Sequence, residues 1–181
     1  MKNIIEYTVA RNNLTRMHEI GHATVAILLG AKAVSIKTKA QGGSYHGLPI
    51  TEIDMAVFQR WLPDEKLIFL AAGYSGELLY KEIASRNKNN PDSQFVSKIF
   101  KEESHISMRC DFQTALENGV IENDERGEKQ LNLAIEKAFI ALKKNWKLCS
   151  YLLFNLQKKS HGLSEEEITA AVSEIGLISY R

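Results

Sequence analysis

The chain lacks any excess of charge of one sign. Its 181 residues carry 23 Lys and Arg against 22 Asp and Glu, a formal net charge of +1. No broad field draws it to nucleic acid or to an anionic membrane surface. Cysteine is scarce as well: Cys110 and Cys149 lie far apart and form no Cys-x-x-Cys pair. A disulfide scaffold is therefore not expected, and a reducing compartment is the default. Long apolar runs are missing too. The stretches from Ala23 to Ala33 and from Leu67 to Tyr74 are too short to span a bilayer. The stretch from Met1 to Asn12, with Glu6 and Arg11, lacks the apolar centre of a signal peptide. There is no internal repeat and no low-complexity tract. These absences lead us to expect a cytoplasmic protein with neither membrane insertion nor a nucleic-acid partner.

What is present is ordinary for a globular chain: 44% hydrophobic and 25% charged residues. The length favours one domain over 1–181, with a catalytic core in 1–120 and a helical part in 121–181. A first helix is expected from Asn13 or Thr15, either of which can cap it, to Leu29, with Gly30 ending it. Val34, Ile36 and Thr38 alternate with polar residues as in a half-buried strand. Gln41-Gly42-Gly43-Ser44 is a turn signal, and Tyr45 to Ile50 is expected to return as a second strand, at an edge because of Pro49. The period then turns helical at Met55, Phe58, Trp61 and Leu62. One apolar helix is expected from Pro63 through Leu79, a loop over 85–93, and helices at Phe95 to Glu102 and Arg109 to Asn118. Leu131, Ile135, Ala138, Phe139 and Leu142 mark a long helix. Leu148 to Lys158 and Glu165 to Ile175 complete the set, the last with a Ser164/Glu167 capping box. The fold class is mainly α, with a small hairpin or sheet after the first helix.

The chemistry concentrates in His18-Glu19-Ile20-Gly21-His22, an H-E-x-x-H motif. On a helix, positions i and i+4 share a face, so His18 and His22 can bind one metal ion. Glu19 is turned about 100° away from His18. It can take a proton from a water that the metal acidifies without being a ligand itself. Gly21 leaves room for another element to pack close. The residues suit Zn2+, and would also accept cobalt or nickel. A catalytic zinc site needs a third protein ligand. The candidates are His46, Glu77, His105, Cys110, Asp111 and His161, and the residues alone do not decide among them.

The run from His18 to Ala23 resembles the H-E-A-G-H-A segment in the peptidase domain of FtsH-type ATP-dependent zinc proteases. Val34-Ser35-Ile36-Lys37, and Gln41 to Ser44 through Leu48-Pro49, are similar to the strand, Gly-rich turn and edge strand that follow there. Ala71 to Tyr80 resembles the family's next helix, with its Gly-x-x-(small)-Glu pattern. Cys110-Asp111-Phe112-Gln113-Thr114-Ala115 is similar to an Asn-Asp-Leu-x-x-Ala segment whose aspartate is the third zinc ligand, although Cys110 stands where the family often has Asn. The C-terminal runs from Leu142 to Trp146 and from Leu163 to Ile168 are also similar.

The resemblance implies a zinc metalloendopeptidase acting on peptides or unfolded proteins. Asp111 would be the third ligand, ahead of Glu77. Gly43, Tyr45, His46 and Gly47 would lie along the edge where an extended substrate adds as a strand. It also implies a homo-oligomer. No Gly-x-x-x-x-Gly-Lys-(Ser/Thr) phosphate loop is present, so ATP-driven unfolding would need a separate ATPase partner. Two other readings compete: a regulatory zinc peptidase that cleaves a specific repressor-type partner, and a catalytically silent zinc-binding adaptor.

Overall fold

The computed structural model describes residues 2–39, 48–86 and 93–179. It is mainly helical, with a small antiparallel sheet, as the sequence suggests. Helix α1 covers Lys2–Leu28, strand β1 Val34–Lys39 and strand β2 Leu48–Ile53. Helices α2 (Met55–Arg60), α3 (Pro63–Leu70), α4 (Ala72–Arg86) and α5 (Ser93–Glu117) follow. Then come α6 (Glu125–Lys144), α7 (Trp146–Lys158), strand β3 (Gly162–Leu163) and α8 (Glu165–Ile175).

Helix α1 starts well before Asn13. The two residues expected to cap it turn inward or back instead. Asn13 is buried and donates to the Tyr80 hydroxyl, 3.2 Å away. Thr15 Oγ1 donates to the Arg11 carbonyl one turn earlier, a bond available only inside a helix. The C-terminal end fits the expectation: the chain leaves the helix through Gly30 at φ +88°, a conformation that costs glycine nothing.

Strand β2 runs later than expected, to Ile53, with Ile53 opposite Val34 and Thr51 opposite Ile36. Tyr45 to Gly47 lie outside the described residues. Pro49 sits in β2 opposite Thr38, and the strand order β2-β1-β3 leaves β2 at an edge, where a missing N–H is tolerated. The third strand, only two residues long, was too short to show alternation. Gly162 makes it possible: at φ +101° it lies so close to the Ile36 carbonyl that a Cβ would overlap it.

The expected helix from Pro63 through Leu79 is two helices, α3 and α4, separated at Ala71. Conversely, the two expected around the polar run after Glu102 are one, α5, which ends before Gly119 at φ +63°. The Ser164/Glu167 capping box is present, with Ser164 N–H donating to Glu167 Oε2 at 2.9 Å.

One core cluster extends from Ala10 in α1 to Ala171 in α8. Helix α1 is its axis. Met17, Ile20 and Ala26 are fully buried there, and α4, α5, α6, α7 and both long strands pack around it. Among the described residues, no helix is long and apolar enough to cross a membrane.

Candidate metal centre

The helical spacing of His18 and His22 brings their rings together. Their Nε2 atoms face each other at 3.1 Å. Asp111, from α5, is buried and puts Oδ1 3.9 Å from His18 Nε2. One ligand atom from each of His18, His22 and Asp111 falls within 4.8 Å of the others. Two bonds of zinc length at the tetrahedral angle separate their ligand atoms by roughly 3.3 Å. The observed separations bracket that value.

The outer nitrogens of both rings are held. His22 Nδ1 lies 2.8 Å from the Phe69 carbonyl, which can only accept, so the proton is on Nδ1. His18 Nδ1 lies 2.8 Å from Glu77 Oε1, a carboxylate that likewise takes the Nδ1 hydrogen. With both Nδ1–H groups so used, the two Nε2 atoms face each other across a space that takes either one added proton or a metal ion. An imidazole pair with its outer nitrogens held by a carboxylate and a carbonyl is how zinc-ligating histidines are oriented. The residues present fit a divalent metal.

The break between α3 and α4 builds much of this. Phe69 is in the last turn of α3, whose carbonyls lack the regular i+4 partner, and its carbonyl is turned to His22 Nδ1. Tyr74 is in the first turn of α4, whose N–H groups are likewise unused. Its N–H donates to Asp111 Oδ2 at 3.3 Å, which leaves Oδ1 facing His18. Glycines let α4 reach the site. A Cβ at Gly73 would overlap the rings of both His18 and His22; one at Gly21 would overlap the Ala72 carbonyl, and one at Gly76 the Met17 carbonyl.

Electrostatics follow from burial and proximity. Burial works to lower the His18 pKa, but the Glu77 hydrogen bond and the charges of Asp111, Glu77 and Glu19 outweigh it and raise the value to about 9. Burial and the neighbouring His18 charge push His22 down to about 3, against its bond to Phe69. Burial raises Asp111 to about 7, opposed by His18 and the Tyr74 N–H. Without a metal, then, the pair carries one proton beyond its two Nδ1 hydrogens, on His18 Nε2, where it donates to His22 Nε2.

Of the other candidate ligands, Glu77 is an orienting acceptor for His18 rather than a member of the converging set. Cys110 is exposed. His161 is exposed and uses its carbonyl to accept from Thr38 N–H. The His105 side chain and the proposed substrate edge at Gly43, Tyr45, His46 and Gly47 lie outside the described side chains.

Glu19 is not among the converging ligand atoms. Its Oε2 accepts from the Thr51 N–H at 2.6 Å, and its main-chain carbonyl accepts from Thr51 Oγ1 at 2.7 Å. Thr51 and Phe69 escaped the sequence reading. Thr51 could be found only from the register of β2, and Phe69 contributes a main-chain atom, which no side-chain pattern reveals.

In comparisons with known proteins, no family model matches the chain and no curated protein matches it.

Proposed function

We propose that the chain is a zinc-dependent metalloendopeptidase, similar to the peptidase domain of FtsH-type proteases. The observation that carries this reading is the convergence of His18, His22 and Asp111, with both ring Nδ1 atoms held and Glu19 outside the ligand set. A structural metal site has no need of an uncoordinated carboxylate on the same helical turn; a hydrolytic one does.

His18, His22 and Asp111 would hold the metal. A zinc ion bound by them supplies a Lewis acid that polarises a peptide carbonyl and acidifies a water. Glu19 takes a proton from the attacking water as its oxygen bonds to the carbonyl carbon. Glu19 then returns that proton to the leaving nitrogen as the C–N bond breaks, so one water is consumed and no other reactant is needed. Glu77, Phe69 and Tyr74 keep the ligand atoms aimed. The substrates of this reading are peptides or unfolded segments, and an ATPase that fed the site would extend the range to folded proteins. The two free cysteines suit a reducing cytoplasm.

Elemental analysis of protein purified without added chelator should find zinc at about one per chain. Hydrolysis of casein or a quenched peptide should be lost on chelation and restored by zinc. Glu19→Gln should keep the metal and lose activity by about 10²-fold or more, the usual contribution of a general base. Wild-type protein that binds zinc but cuts nothing would overturn the peptidase reading in favour of an adaptor. Cleavage of one folded partner, with casein untouched, would favour the regulatory peptidase.

A further inference from the structure

Among the described residues, Glu19 makes two hydrogen bonds to strand β2, both with Thr51. The strand lies at the edge of the sheet, with β1 on its other side. Thr51 is opposite Ile36 in that pairing, yet its N–H serves Glu19 Oε2 at 2.6 Å. The hydroxyl makes a second bond at 2.7 Å to the Glu19 carbonyl, an atom of the α1 backbone. That carbonyl is in the middle of a helix and needs no extra donor, so the bond does not repair an unsatisfied group. Its effect is to fix α1 against β2 at the residue that carries the carboxylate.

We infer that Thr51 is the positioning residue for the general base: its N–H holds one carboxylate oxygen of Glu19, its hydroxyl ties the helix to the strand, and the second carboxylate oxygen is left to handle the proton. The inference rests on the metallopeptidase reading. It adds to that reading the element that sets the base, which the histidine ligands and their acceptors do not. A free glutamate side chain samples several rotamers, and only those near the attacking water are productive. The Thr51 N–H selects among them at no cost in flexibility, because a strand backbone is already ordered.

Thr51→Val removes the hydroxyl, retains the N–H and keeps a β-branched residue in the strand. Its kcat on a quenched peptide should fall by about three- to tenfold, the effect of one well-aligned hydrogen bond, with KM and zinc content unchanged. Thr51→Ser restores the hydroxyl and should recover most of the loss. The N–H bond is read separately by NMR: the Thr51 amide proton should resonate far downfield and move upfield in Glu19→Ala. Active wild type with an unaffected kcat in Thr51→Val overturns the inference alone. So does a Ser variant no better than Val, a loss of zinc that parallels the loss of rate, or a Thr51 amide indifferent to Glu19→Ala. A wild type without metal-dependent peptidase activity overturns the underlying reading, and this inference with it.

Discussion

At the scale of single residues, the site depends on which atom of each histidine is free. Glu77 decides this for His18. It is 6% exposed and spends Oε1 on the His18 Nδ1 hydrogen. Replacing it by Gln keeps the shape but substitutes a weaker acceptor for a carboxylate, and the ring loses both orientation and basicity. Orienting partners of this kind are worth about 10- to 100-fold in metal affinity. Glu77→Gln should therefore weaken zinc binding by about tenfold in a chelator competition, and Glu77→Ala by more. Equal affinity in all three proteins would show that Glu77 plays no part in metal binding. The same pair illustrates what could be read beforehand. The i, i+4 spacing of His18 and His22 is a property of any helix and needs no tertiary knowledge. Glu77 was visible as an acidic residue among small ones, yet whether it ligates or orients depends on a packing distance that no local pattern contains. Asp111 came forward only through resemblance. Elsewhere, the Cys149 thiol is pushed up to about 12 by burial, against its contact with Thr24. The folded value lies above the ordinary one of 9.0, so the fold is favoured below about pH 9 and loses that support as pH rises toward 12. The urea midpoint should fall across this window, and fall less in Cys149→Ala.

At the scale of elements, the decisive feature is the crossing of α1 and α4. Three glycines, Gly21, Gly73 and Gly76, remove the side chains that would hold the two helices apart. Gly21→Ala sets two effects against each other. Alanine favours the helix by about 1 kcal/mol. The added methyl meets the Ala72 carbonyl, a backbone atom that cannot swing away; such overpacking costs about 1–3 kcal/mol. The overlap should win, lowering the melting temperature by a few degrees for a chain of this size. Gly73→Ala differs in kind, because its methyl meets the two imidazole rings. It should cut zinc affinity by at least tenfold, and calorimetry with a metal titration on both variants separates the two outcomes. The sequence showed Gly21 as an oddity inside a helix that asked for a close neighbour, and the neighbour is α4. It did not show the break at Ala71. The run from Leu67 to Leu79 has helical periodicity throughout, so periodicity alone predicts one helix. The interruption is set by what the freed main-chain groups of Phe69 and Tyr74 bind, which lies in α1 and α5. The early start of α1 escaped for a related reason: Asn13 carries a cap-type side chain, but besides Arg16 one turn on it bonds to Tyr80 in α4 and Gln157 in α7.

For the whole molecule, the site is where α1, α4 and α5 meet, with α3 and β2 supplying main-chain atoms. A metal bridging His18, His22 and Asp111 would link α5 to the central helix. A ligand that binds only the folded state stabilises it by RT ln(1 + [L]/Kd), about 2.7 kcal/mol at a hundredfold excess over Kd. For a chain of 150–250 residues, each kcal/mol moves the midpoint by about 2–4 °C. Zinc at that excess should raise the melting temperature by about 5–10 °C, and chelation should reverse the change. Asp111→Asn makes the argument specific. Asp111 is 8% exposed, and the charged His18 3.9 Å away offsets only part of the cost of burying its carboxylate, whose pKa stays raised to about 7. Asparagine keeps the shape and an oxygen that can accept from Tyr74, but not the charge. The metal-free variant should thus melt no lower than the metal-free wild type, while most of its zinc-dependent increment disappears. Scanning calorimetry with zinc and with chelator measures both quantities on each protein. An undiminished zinc increment in Asp111→Asn would remove Asp111 from the ligand set. A variant that melts well below the metal-free wild type would mean that the carboxylate holds α5 in place by itself, with the metal secondary to the fold.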